Sequence, residues 1–167
     1  MDEAQIVRRI RVWLGLFIVG LVLSGLTAFP LRKELELLLQ LTACEQSPAG
    51  ALCEWLYRVN EGLVVSYGRY PFLAYGTDWL AFAHLVIAVA FLGPMRDPLR
   101  NRWVITFGLI ACAGVIPLAL VAGSARGIPL YWRLIDCSFG VIGSVPLLIC
   151  RRYLSQLEAK SLQPVRV

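Results

Sequence analysis

Hydrophobic side chains along this sequence fall into four long blocks separated by polar breaks. Val12 to Phe29 carries no charge and is bounded by Arg11 and Pro30. Trp79 to Met95 is uncharged and is interrupted only by His84. Trp103 to Ala125 has no ionisable side chain except Cys112, and the fourth block runs from about Leu134 to Cys150, with Asp136 near its start. A membrane-crossing helix needs about 20 mostly apolar residues. The blocks are continuous and do not alternate, so each predicts a helix and not a barrel strand. The expected fold is all-α, a polytopic membrane protein with a four-transmembrane-helix bundle in a single membrane domain, 1–167. Its spans lie at about 12–29, 79–95, 103–125 and 134–150.

The segment 31–78 has a pattern of its own. Leu31, Leu35, Leu38 and Leu39 recur at helical spacing, with Arg32, Lys33, Glu34 and Glu36 between them. That spacing predicts an amphipathic helix directly after Pro30, suited to the headgroup region or to the mouth of the bundle. A further helix is expected from Ala49 to Tyr67, with Leu52, Leu56, Val59 and Leu63 on one face and Pro48 in its first turn. The segment is thus a partly helical extracytoplasmic loop. Cys44 and Cys53 both lie in it, where an oxidising compartment favours a disulfide. The chain has no C-x-x-C pair, which weakens a redox-enzyme reading. Cys112, Cys137 and Cys150 fall in the spans, where small packing roles are expected.

Composition agrees with the pattern. The chain is 167 residues long, 58% apolar and only 16% charged, against about 25% charged for a soluble domain. A disordered chain, a collagen-like chain and an ordinary cytosolic enzyme are excluded. With the N-terminus inside, segments 1–11, 96–102 and 151–167 hold ten basic and four acidic residues. The opposite segments, 31–78 and 126–136, hold six basic and seven acidic residues. The excess of Lys and Arg on one side sets both termini in the cytoplasm and the chain in the inner (plasma) membrane as a multi-pass protein. Topology therefore accounts for the net charge of +5, and no nucleic-acid partner is expected. Arg8, Arg9 and Arg11 precede a long apolar run with no A-x-A-like cleavage site, the pattern of a retained signal-anchor helix.

Ionisable groups at membrane depth are costly, which makes each one a functional candidate. Asp78, His84, Arg126, Arg133 and Asp136 stand out. All but His84 fall at the outer ends of spans, where Arg133 can pair with Asp136 three residues on and Asp78 can pair with Arg126. The alternative to such register-fixing pairs is an anion or headgroup site made by Arg126, Arg133 and Asp136 with Tyr75 and Tyr131. Those tyrosines belong to an interfacial belt with Tyr67, Tyr70, Trp79 and Trp132. His84 lies six residues past Asp78, about 9 Å deeper and roughly 120° around the helix, so the two make no simple dyad. His84 alone suits a structural hydrogen bond, a proton relay, or ligation of a tetrapyrrole. No metal cluster is expected. Gly20-x-x-x-Ser24, Ala119-x-x-x-Gly123 and Gly140-x-x-x-Ser144 offer close helix contacts, and Pro117 and Pro146 should kink their helices.

The order of a long outer loop with two cysteines, a short basic inner loop and inside termini resembles the claudin layout in topology. Gln40-Leu41-Thr42-Ala43 stands where a claudin has Gly-Leu-Trp before the first cysteine, and no function follows from the resemblance. H-E-x-x-H, G-x-S-x-G and P-loop patterns are absent. The expected function is therefore a non-enzymatic integral membrane subunit or accessory protein of a larger inner-membrane assembly. Its partners would be membrane lipid and other membrane subunits or further copies, with lipid or a hydrophobic cofactor (a tetrapyrrole or quinone) between its helices. One alternative is a small membrane enzyme acting on a lipid-borne or quinone-like substrate at the outer face, with Asp78 and His84 as its acid–base groups. The other is a homo-oligomeric small transporter.

Overall fold

The computed structural model describes residues 2–42, 44 and 50–161. All regular structure among them is helical: α1 Glu3–Ala28, α2 Leu31–Leu41, α3 Ala51–Arg69, α4 Ala74–Ala90, α5 Leu92–Arg96, α6 Arg102–Pro117, α7 Gly123–Ala125 and α8 Leu130–Ser161. A 3₁₀ turn, Pro71–Leu73, leads into α4, and a π-helical segment, Leu118–Ala122, joins α6 to α7. Four helical runs are long and apolar enough to cross a membrane: Glu3–Ala28, Pro71–Arg96, Arg102–Ala125 and Leu130–Lys160. They coincide with the four hydrophobic blocks.

Two of these helices outrun their apolar blocks. α1 starts at Glu3 instead of near Val12, and α8 continues through Arg151-Arg152 to Ser161. The reason is that apolar positions continue at helical spacing through the charged stretches. Ile6, Ile10 and Leu14 are buried on α1, and Leu147, Cys150, Leu154 and Leu157 on α8. The arginines occupy the remaining, exposed positions.

The chain groups into two compact units, Met1–Leu21 with Ile87–Val167 and Val22–Val86. The core of the first contains those seven residues together with Phe91, Val104, Ile105 and Cys112. The Phe17 and Phe91 rings meet at a tilt of 58° with centroids 4.7 Å apart, and the Cys150 thiol donates to the Ile10 carbonyl at 3.6 Å. Cys112 and Cys150 are buried free thiols. The connection from α5 to α6 is tied down by side chains. Asn101 donates to the Gly93 and Asp97 carbonyls at 3.3 and 3.0 Å, while Arg11 donates to the Met95 carbonyl at 3.0 Å.

In the second unit, α2 and α3 pack together, and Cys44–Cys53 form a disulfide with Cα atoms 5.4 Å apart. Leu35, Leu39, Cys44, Cys53 and Leu56 are buried there. Thr42 closes α2 by donating to the Leu38 carbonyl at 2.7 Å, and the Tyr57 hydroxyl donates to the Cys44 carbonyl at 3.3 Å. Gly50, at φ 121°, enters α3 through a backbone region that disfavours other residues. α3 starts at Ala51; Pro48 and Ala49, expected in its first turn, lie outside the described residues. Of the face expected on this helix, Leu56 is buried and Leu52 is exposed. Farther along, Gly25 of α1 meets α4. A Cβ there would lie 2.9 Å from the Ala81 carbonyl oxygen and 3.1 Å from the His84 Cβ.

Candidate functional site

Two polar side chains of α8 reach the stretch where α6 breaks. Pro117 has no N–H to give the ladder, and the chain after it adopts the π-helical turn Leu118–Ala122. Such turns recur at functional positions inside helices. α7 ends in a left-handed glycine, Gly127 at φ 70°. The Ile128 amide donates to the Gly123 carbonyl at 2.9 Å and the Gly127 amide to the Ser124 carbonyl at 3.1 Å, the paired bonds of a Schellman cap. Pro129 then turns the chain into α8.

α8 returns antiparallel along α6 and reaches back to this break. Arg133 Nη1 donates to the Leu120 carbonyl at 3.1 Å, and one turn later the Cys137 thiol lies 4.0 Å from the Ile116 carbonyl. The Arg133 stem crosses Gly123, where a Cβ would lie 2.7 Å from its Cδ. Glycine is required at that position for the arginine to lie flat. The guanidinium sits at the C-terminal end of the α6 run, where a cation is favoured. Arg133 Nε is buried with no hydrogen-bond partner. Further along, a Cβ on Gly140 would overlap the Cys112 carbonyl oxygen, and one on Gly108 would meet Phe91 and Leu147 at 2.6 and 2.7 Å.

This geometry corrects one expected pairing. Arg133 bonds the Leu120 carbonyl and makes no ion pair with Asp136. The i, i+3 spacing allows that pair, but the arginine is drawn across to the neighbouring helix. Arg126 is an exposed residue ending α7. Ion pairs among the described residues include Arg32–Glu36 at 3.0 Å and Arg102–Glu158 at 3.1 Å. Pro146 sits inside an uninterrupted α8. Of the small-residue spacings, Gly123 and Gly140 make close contacts, whereas Gly20 has nothing within 4 Å of its added Cβ.

The remaining candidates lie in the second unit. Tyr75, Trp79 and Phe82 form a ladder of edge-on rings along α4, with centroids 5.9 and 6.0 Å apart. Asp78 is on the same stretch, half-buried. The Tyr67 hydroxyl lies 3.3 Å from Thr77 Oγ1, tying α3 to the start of α4. His84 Nδ1 is 2.8 Å from the Leu80 carbonyl. A carbonyl can only accept, so Nδ1 carries the proton of this bond, and it is Nε2 that is left to face a ligand. Nε2 is the one nitrogen of the site able to ligate a metal-centred cofactor. Among the described residues no group of three His, Cys, Asp or Glu side chains is placed to hold a metal ion.

The sequence reading missed Gly25, Gly108 and the reach of Arg133 to α6. A signal for the last was available: Pro117 announces a defect in the ladder, and the arginine sits just past the following turn. No known family model matches this chain, and neither curated proteins nor solved structures give a match.

Proposed function

We propose that this chain is a four-span protein of the inner (plasma) membrane with both termini in the cytoplasm, and that it serves as a non-enzymatic subunit or accessory protein docking through its α2–α3 hairpin. Exposed apolar side chains along every long helix support insertion, among them Leu16, Val19 and Leu23 on α1, Val86 and Val89 on α4, Ile110 on α6, and Phe139 and Ile142 on α8. Two independent features agree on orientation. Lys and Arg collect at the segments assigned inside, and the Cys44–Cys53 bridge belongs in an oxidising space outside.

One observation carries the docking role. The disulfide-pinned hairpin has a second apolar stripe that its own packing leaves uncovered, with Leu37 54% and Leu41 74% exposed one turn apart. Outside the hydrocarbon layer such a stripe needs a partner to cover it. The test is native mass spectrometry after gentle extraction, comparing wild type with Leu37→Gln/Leu41→Gln. Both positions are exposed, so the variant keeps its fold. An assembly much heavier than the 18.6 kDa chain that dissociates in the variant supports the proposal. A bare wild-type monomer, or an assembly indifferent to the substitutions, overturns it.

A second reading, in which the subunit also holds a tetrapyrrole, is favoured by His84 alone. Metal-ligating histidines commonly donate their other ring N–H to a backbone carbonyl, as His84 Nδ1 does to Leu80. An absorption spectrum of the same preparation tests it. The reading requires a pigment band that disappears in His84→Ala.

A further inference from the structure

At the end of the first unit where α1 begins, Arg8, Arg9, Val12, Trp13 and Tyr153 line a cleft of about 290 Å³. Its lining is graded along the helix. Arg8 and Arg9 come first, and Val12 and Trp13 follow one turn on, at the start of the apolar block. The Arg9 Nη1 donates to the Tyr153 hydroxyl at 2.8 Å, which leaves the other guanidinium N–H groups and the phenolic proton for another acceptor. Val12 and Trp13 extend the cleft with apolar surface toward the hydrocarbon.

The cleft lacks a counterion of its own. Among the described residues, Arg8, Arg9, Arg151 and Arg152 have no carboxylate within ion-pair distance, and Glu158 is held by Arg102 at 3.1 Å. The volume is at the low end for a ligand pocket, where about 300 Å³ is typical of the smallest. It fits a single headgroup better than a whole metabolite. Arginine in a fixed fork is the side chain suited to phosphate. Basic pockets between spanning helices on the cytoplasmic side bind anionic headgroups.

We infer that this cleft is a binding site for the phosphodiester headgroup of an anionic inner-leaflet phospholipid, held by Arg8, Arg9 and the Tyr153 hydroxyl with its acyl chains leaving past Val12 and Trp13. The inner-leaflet assignment rests on the orientation proposed above; the cleft itself does not.

The experiment is native mass spectrometry of the full chain in neutral-detergent micelles doped with phosphatidylglycerol or phosphatidylcholine. Wild type should retain phosphatidylglycerol preferentially. Arg8→Gln/Arg9→Gln should lose it by about fivefold for each arginine removed. Tyr153→Phe, a milder change, should weaken retention while leaving the helix contacts intact. Arg96→Gln/Arg100→Gln removes the same charge from the inner connection outside the cleft and should retain the lipid at the wild-type level. Equal losses in the two double variants would reduce the effect to diffuse electrostatics and overturn the site. So would equal retention of the two lipids, or displacement by inorganic phosphate at matched concentration, which would mark a free-anion site. A reporter on the C-terminus, read in intact cells, tests orientation separately. If it lies outside, the inner-leaflet assignment fails whatever the micelles show.

Discussion

The contact between α6 and α8 gives the most exacting test of how this fold is held. Gly140 faces backbone first: an added Cβ would overlap the Cys112 carbonyl oxygen. No rotamer change relieves such an overlap, so Gly140→Ala must push the helices apart by about 1 Å. A gap of that size forfeits roughly a quarter to a half of the dispersion energy of the atoms across it, and overpacking of this kind costs about 1–3 kcal/mol. Alanine returns about 1 kcal/mol through better helix propensity, leaving a net loss of up to about 2 kcal/mol. Gly20→Ala is the matched control. Nothing lies within 4 Å of a Cβ there, so only the gain of about 1 kcal/mol remains. The two variants should differ by about 1–3 kcal/mol, equivalent to roughly 2–12 °C for a chain of this size. Thermal unfolding in one detergent, followed by tryptophan fluorescence, reads that difference. Equal melting temperatures, or Gly20→Ala as the less stable of the two, would refute the α6–α8 register described here.

Arg133→Leu removes the donor to the Leu120 carbonyl and should cost about 1–3 kcal/mol. Asp136→Asn breaks no ion pair and should stay within about 0.5 kcal/mol of wild type; the same thermal assay separates them, and equal losses would restore the Arg133–Asp136 pair. Cys44→Ser/Cys53→Ser opens a loop with a sequence separation of 9. The chain-entropy relation puts the loss at about 2.7 kcal/mol, measurable as a lower denaturation midpoint that reductant reproduces in wild type. Alkylation of the denatured, unreduced protein should label only Cys112, Cys137 and Cys150, rising to all five cysteines after reduction; five labels before reduction would rule the bridge out. Gly25→Val should destabilise more than Gly62→Val, because only Gly25 has neighbours, the Ala81 carbonyl at 2.9 Å and His84 at 3.1 Å.

The four long helices were legible because a run of about 20 apolar residues has few other solutions. Their ends were not. Charged residues at Arg8, Arg9, Arg151 and Arg152 mark where an apolar block stops, but a helix continues as long as every third or fourth residue can be buried. Ile6 and Ile10 on one helix, with Leu154 and Leu157 on the other, supply that continuation. The loop helices were legible from leucine spacing, and the disulfide from two cysteines in one segment between spans. The small-residue spacings were a weaker guide. Gly20-x-x-x-Ser24 and Gly140-x-x-x-Ser144 are indistinguishable as patterns, and only the second has Gly140 against a neighbouring backbone. Spacing identifies a face that can be approached; which helix approaches it is decided by the rest of the chain.

The Arg133–Asp136 pairing fails to form for a reason that magnitudes make plain. Arg133 and Asp136 have the spacing of a helical ion pair, but such a pair contributes only about 0.2–0.5 kcal/mol. Across the interface lies a helix whose ladder lacks the Pro117 N–H and slips into a π turn over Leu118–Ala122. A hydrogen bond from a charged donor such as the one Arg133 gives the Leu120 carbonyl contributes about 1.5–3 kcal/mol, several times as much. The larger need claims the side chain. Arg133 and Cys137 are four residues apart on α8, and the carbonyls they approach, Leu120 and Ile116, are four apart on the antiparallel α6 run. One register serves both. The polar residues at this end of the hairpin therefore answer to the neighbouring backbone first, and Asp136 is left without its expected arginine partner. A chemical role here would have to begin with the Arg133 Nε, which is buried and still lacks an acceptor.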